Sequence, residues 1–159
     1  MQEPIIKFNS EAEATECMRW WQHQLYLDDW ILRLRIIPFS ESPLDGQYMG
    51  HNIADHVNNG AMIYLARHDD LDPDVIMTLC DEKVLVHELL HLSYPSLVDA
   101  TNYTSAFMDM EQHRQLEKMA KSLVLTKYGL PREWFDRHWH DEYIRKENSK
   151  SCIRKAPKN

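Results

Sequence analysis

Cysteine is scarce in this sequence, and long apolar runs are missing from it. The three cysteines, Cys17, Cys80 and Cys152, are few, odd in number and far apart. This pattern suggests neither a disulfide framework nor a thiolate zinc site. No apolar run reaches the roughly 18 residues that a membrane span needs. The start, MQEPIIKFNSEAEATE, lacks the basic residues and apolar stretch of a signal peptide. We therefore expect a cytoplasmic protein without a membrane span.

The negative charge is unevenly distributed along the chain. The formal net charge is −7, yet residues 145–159 carry six Lys or Arg and only one Glu. The rest of the chain is therefore strongly acidic, which argues against a nucleic-acid-binding domain. The basic end could contact nucleic acid or an acidic partner, but a solvated, frayed terminus is the favoured interpretation.

Length and composition predict one folded domain. A chain of 159 residues, 43% of them apolar, has the usual size of a single domain and enough apolar surface for a core. We place the domain at residues 1–147 and treat residues 148–159 as a basic, flexible tail.

The first half of the chain shows the pattern of one helix and three strands. Residues 11–27 have a helical apolar side, with Ser10 as the N-cap. The stretch WILRLRIIPF alternates like a strand with one buried face and closes at Pro38. The pair Asn59-Gly60 indicates a hairpin between the next two strands.

Three helices are predicted in the second half, at residues 82–93, at 105–127 and from Pro131 to about 146. The first is apolar on nearly all sides, so it should be central and buried. The second ends near Gly129. The order of elements predicts an α+β fold, in which a small three-stranded sheet packs on the buried helix and further helices surround it.

Three titratable residues interrupt the apolar helix, in the stretch VLVHELLHL. His87 and His91 are four residues apart and therefore share one face. Two neutral imidazoles so placed can both bind one Zn²⁺ at about 2.0–2.1 Å. Glu88 is turned by about 100° around the axis, where it can take a proton from a zinc-activated water without ligating the metal. The His-Glu-x-x-His helix is a metalloprotease signature.

The alternative for these three groups is a metal-free core in which they hydrogen-bond to other side chains. Their neighbours are Leu and Val, so leaving them unpaired would be costly. A bound metal removes that cost, and for this reason the apolar surroundings favour a metal site over a chance match on an exposed helix.

HELLH, placed behind short strands and before a long helix, resembles the zincin metallopeptidases. More narrowly, the chain looks like the small metallopeptidases encoded by phages and prophages. WILRLRI, GHNIADHVNNGAMIYLAR, HELLH and LEKMAKSLV match the parts of that pattern in order, over roughly residues 11–128. HELLH is the specific part of this resemblance. The resemblance implies a zinc peptidase in the cytosol of a bacterium or of a phage-infected host.

A catalytic zinc site needs a third protein ligand, which the helix at 105–127 should supply. In related zincins this ligand is commonly a Glu, which suggests Glu111 or Glu117. The phase of the apolar face instead reaches His113, while Glu111 points away and Glu117 lies on the flank. The phage-type pattern also assigns the position four before the Glu of LEKMA, which is His113. We predict His113 and keep the two glutamates as alternatives.

These observations predict a zinc-dependent peptidase. His87, His91 and His113 would hold Zn²⁺, and Glu88 would act as general base toward a peptide or protein substrate. The alternative is a catalytically silent, zinc-binding interaction or regulatory module of a phage or prophage. A closed site with four ligands would indicate the second function.

Overall fold

A computed structural model of the protein describes residues 3–41, 49–67, 80–93 and 106–137. The fold is α+β, as predicted, with a three-stranded mixed sheet and three α-helices. The elements are α1 Glu11–Gln24, β1 Ile31–Ile37, β2 Gly50–Asp55, β3 Gly60–Ala66, α2 Asp81–Ser93 and α3 Ala106–Tyr128. Among these residues, no helix combines the length and the apolar character needed to cross a membrane.

The sheet has the strand order β1-β3-β2, so β3 is central. β1 runs parallel to β3, and β2 runs antiparallel to it. The predicted hairpin at Asn59-Gly60 is confirmed, and Asn59 adopts a left-handed backbone with φ 49°. Ile63, in the middle of β3, is completely buried. Within the described residues, β1 and β2 are the two edge strands of this sheet.

Helix α1 begins as predicted and ends earlier than predicted. The side chain of Ser10 accepts the N–H of Glu13 at 3.2 Å, which is the expected N-cap. The prediction placed the end at residue 27, but the helix ends at Gln24. The reason is Tyr26, whose φ of 58° is left-handed and cannot continue a right-handed helix.

Helix α2 is central and buried, as predicted. All of its residues are buried except His87 and His91, which are half-buried, and the last residue, Ser93.

The segment before α1 runs past the start of α2, where Ile6 O accepts the N–H of Asp81 at 3.0 Å. These contacts satisfy main-chain donors that the first turn of a helix leaves unpaired.

The helix predicted at residues 105–127 is confirmed as α3, Ala106–Tyr128, to within one residue at each end. Gly129 follows it with a left-handed φ of 63°. The last helix was predicted to extend from Pro131 to about residue 146. The described part is a 3₁₀ helix, Arg132–Arg137, and the remainder lies outside the described residues. The same is true of the predicted tail at 148–159.

Glu82 is a completely buried carboxylate that the sequence analysis did not single out. It accepts hydrogen bonds from the Ile5 N–H at 3.0 Å, Trp21 Nε1 at 2.8 Å, Lys127 Nζ at 2.7 Å and Tyr128 OH at 2.8 Å. A buried charge is tolerated only when it is paired and hydrogen-bonded. Glu82 therefore joins the N-terminal segment, α1 and α3 to the start of the helix that carries the histidines.

Candidate metal centre

Three imidazoles meet between α2 and α3. His87 and His91 are one turn apart on α2, and their Nε2 atoms lie 3.2 Å from each other. His113 comes from α3, with its ring centroid 5.7 Å from that of His87 and 4.7 Å from that of His91. One nitrogen of each ring lies within 4.8 Å of the other two, and this group could hold a metal ion. The three histidines predicted as ligands are therefore neighbours in the structure.

The spacing of these nitrogens suits a small cation. Two nitrogens bound tetrahedrally to one Zn²⁺ at about 2.0–2.1 Å are about 3.3–3.4 Å apart. The Nε2 atoms of His87 and His91 already have nearly this separation.

The protonation state of His91 also suits a metal. Burial lowers the pKa of His91 to about 4, and the nearby His87 and His113 act in the same direction. His91 is therefore neutral at pH 7, and the neutral imidazole is the form that binds metals.

Glu117 lies beside the buried Nδ1 of His87. Its Oε2 lies 3.4 Å from His87 Nδ1, a long contact on the side of the ring away from His91. Burial acts to raise the pKa of Glu117, but the His87 contact and two nearby lysines outweigh it, so the pKa lies well below its usual range. An ionised carboxylate can only accept. The contact to His87 does not meet hydrogen-bond geometry, so the buried Nδ1 has no hydrogen-bond partner among the described residues.

The two glutamates that were kept as alternative third ligands have other partners. Glu117 contacts the outer nitrogen of His87, which is the usual place of a carboxylate that orients a metal-binding histidine. Glu111 accepts from Arg114 at 2.9 Å and from Gln115 at 2.7 Å. Within the described residues, the cluster of possible ligands consists of the three histidines and includes neither glutamate.

Glu88 stands beside the histidines with its carboxylate inside the protein. Its side chain is only 6% exposed, and its Oε2 accepts a hydrogen bond from Asn52 Nδ2 at 2.9 Å. Burial raises the pKa of Glu88, although His87, Asn52 and Lys83 act in the opposite direction. A carboxylate with a raised pKa is a stronger base than an exposed one.

Gly50 allows β2 to approach α2 at this point. A Cβ atom at position 50 would lie 2.5 Å from Val84 Cγ1 and 3.2 Å from Glu88 Oε1. A side chain at position 50 would force Val84 or the backbone around it to shift. Asn52 and Gly50 are the two site residues that the sequence analysis missed. A glycine inside a strand often marks such a close approach, and this signal was present at the start of β2.

A cleft of about 460 Å³ opens onto this centre. His87, Glu88 and His113 line it together with Met110 and Arg114. A small molecule or a chain segment in the cleft would therefore meet two of the imidazoles and Glu88. Within the described residues, the group of possible metal ligands is limited to the three histidines.

Comparisons with protein-family models, with curated proteins and with solved structures find no match to this chain.

Proposed function

We propose that this protein is a zinc-dependent peptidase in which His87, His91 and His113 hold the metal. Three neutral nitrogen donors are a ligand set that suits Zn²⁺, and three protein ligands leave one position for water or substrate. The half-buried imidazoles with their facing nitrogens support metal binding. The third ring, that of His113, contacts both of the other rings and brings a nitrogen within reach of the same ion.

The observation that carries the proposal is the position of Glu88. It is a buried carboxylate that follows His87 in the chain and lines the same cleft as His87 and His113. Among the described residues, Asn52 is the side chain that donates to it, and it does so at Oε2. The other oxygen, Oε1, is left to receive a proton.

The proposed reaction is hydrolysis of a peptide bond. When bound, the zinc ion would supply a Lewis acid that polarises the scissile carbonyl and makes water more acidic. Glu88 removes a proton from the attacking water at Oε1 as the water oxygen bonds to the carbonyl carbon. Glu88 then gives that proton to the amide nitrogen, the C–N bond breaks, and an amine and a carboxylic acid leave; the acid passes its remaining proton to the amine, which gives an ammonium and a carboxylate. Asn52 keeps the carboxylate in one orientation throughout these steps.

The sheet supplies a place for an extended substrate. β2 is an edge strand of the sheet, and it carries both Gly50 and Asn52. A peptide that added to this edge by main-chain hydrogen bonds would run directly beside Glu88. For this reason we propose a peptide or an unfolded protein segment as the substrate.

Metal content and hydrolysis together test the proposal. Elemental analysis of untagged protein should find about one zinc per chain, and the double variant His87→Ala/His91→Ala should lose it. Glu88→Gln should retain zinc and lose cleavage of a peptide library read by mass spectrometry. Cleavage by Glu88→Gln at the wild-type rate would rule out the role of Glu88. Zinc binding without cleavage of any peptide by wild-type protein would favour the silent module.

A further inference from the structure

Lys83 contacts both oxygens of the Glu117 carboxylate inside the cleft. Its Nζ lies 3.1 Å from Oε1 and 3.2 Å from Oε2. Lys83 is only 8% exposed and stands one turn before His87 on α2. A buried ammonium is costly to leave without its counter-ion, so each member of this pair restrains the other.

Glu117 lies beside the histidine cluster but outside the group of possible ligand atoms, and a rotation of its side chain would bring it toward a bound metal. It lies one turn after His113 on α3, lines the same cleft and reaches within 3.4 Å of His87 Nδ1. Carboxylate oxygens are ordinary zinc ligands, and four protein ligands would make the site closed and structural. Some feature of the protein must therefore decide whether Glu117 orients His87 or binds the metal.

We propose that Lys83 is a positioning residue that keeps Glu117 out of the metal's coordination sphere and so keeps the fourth position open. The inference rests on the proposed function and explains how a three-ligand site persists beside a fourth candidate. Held by Lys83, the carboxylate faces the outer nitrogen of His87. Without the ammonium, the contacts that remain are the more exposed one to Lys121 and the long one to His87, and we expect them to be too weak to keep the carboxylate from turning toward the metal.

Lys121 provides a matched comparison within the same cluster. Its Nζ lies 3.3 Å from Glu117 Oε1, but its side chain is 32% exposed, against 10% for that of Lys83. Water and salt screen an exposed pair more strongly than a buried one. Loss of Lys121 removes an equal charge from the cluster and should leave Glu117 in place.

Azide binding to the Co²⁺-loaded protein tests the inference, because the visible spectrum of Co²⁺ changes when an anion enters an open position. The wild type, Lys83→Arg and Lys121→Met should bind azide with similar affinity. Lys83→Met should bind azide at least about tenfold more weakly, and its Co²⁺ spectrum before azide should already differ from that of the wild type. The double variant Lys83→Met/Glu117→Gln should regain azide binding, because the competing carboxylate is gone.

Three results would overturn the inference. The first is wild-type azide affinity in Lys83→Met. The second is weak binding that persists in the double variant, since the lost charge of Lys83 would then be the cause. The third is failure of the wild-type protein to bind Co²⁺ at all, which would remove the proposed metal site itself and is distinguishable from the other two. Circular dichroism of each variant checks that it is folded. Lys83→Arg keeps a positive charge beside Glu117 and therefore tests whether the charge, and not the lysine side chain itself, is what matters.

Discussion

Asn52 Nδ2 lies 2.9 Å from the carboxylate oxygen Oε2 of Glu88 and 3.4 Å from the main-chain oxygen of the same residue. One amide on β2 therefore contacts both the side chain and the backbone of the proposed base on α2. The imidazoles are fixed from the other side, where α3 supplies His113 and Glu117. The candidate site is thus assembled from three elements, and the position of the base depends on how the sheet packs against α2.

Replacing Asn52 should impair hydrolysis and leave metal binding intact. In Asn52→Ala the carboxylate of Glu88 loses the donor that orients it, while none of the three histidines loses a partner. Loss of such an outer partner typically costs about 10- to 100-fold in activity. Asn58→Ala changes an exposed asparagine of the same hairpin and should leave the rate unchanged. Rates on a cleaved peptide, measured beside zinc stoichiometry, check this, and a loss of zinc in Asn52→Ala would contradict it.

A methyl group at position 50 should disturb the packing of β2 on α2. In Gly50→Ala the new Cβ would lie 2.5 Å from Val84 Cγ1, and overpacking of this kind typically costs about 1–3 kcal/mol of unfolding free energy. Gly60→Ala is the matched control, because a Cβ there meets nothing within 4 Å. Urea denaturation measures both. Equal stability of the two variants would show that the strand yields freely at Gly50.

Local periodicity explains which parts of the site were predictable. The four-residue spacing of His87 and His91 places them on one face of any regular helix, and the buried face of α3, which includes Leu116, Ala120 and Val124, sets the phase that brings His113 inward. The orientation of Glu111 away from the histidines follows from the same phase. The structure shows that His87, His91 and His113 lie close together. Their roles as metal ligands remain predictions.

Contacts between distant elements explain which parts were not predictable. No local pattern states that β2 packs against α2, so the hydrogen bond from Asn52 and the close approach at Gly50 appear only in the folded chain. The position of Glu117 on the flank of α3 was predicted. Its placement beside His87 involves a contact with Lys83, which is 34 residues earlier in the chain, and no local pattern predicts such a contact. Glu82 looked like an ordinary acidic residue of a first helical turn, and its burial is a tertiary effect.

His113 and Glu111 should differ sharply when each is removed. His113→Ala takes away one of three facing nitrogens, so zinc affinity should fall by more than the roughly 10- to 100-fold that loss of an outer partner costs. The loss of zinc affinity in Glu117→Gln should stay within that smaller range, because the Glu117 carboxylate orients His87 and does not bind the metal. Glu111→Ala should keep wild-type affinity. Competition with a chromophoric chelator measures all three, and a larger loss in Glu111→Ala than in His113→Ala would reverse the assignment.

Glu82 should matter for stability and not for metal binding. Glu82→Ala leaves Trp21 Nε1, Tyr128 OH and Lys127 Nζ without their shared acceptor, and loss of one partner of a buried ion pair typically costs about 3–5 kcal/mol. Glu16→Ala, at an exposed position of α1, should change stability by less than about 0.5 kcal/mol. Urea unfolding followed by tryptophan fluorescence compares the two. Below its unfolding midpoint Glu82→Ala should still bind zinc with wild-type stoichiometry, because none of the three histidines contacts Glu82. Loss of zinc from the folded variant would mean that the start of α2 also fixes the histidines.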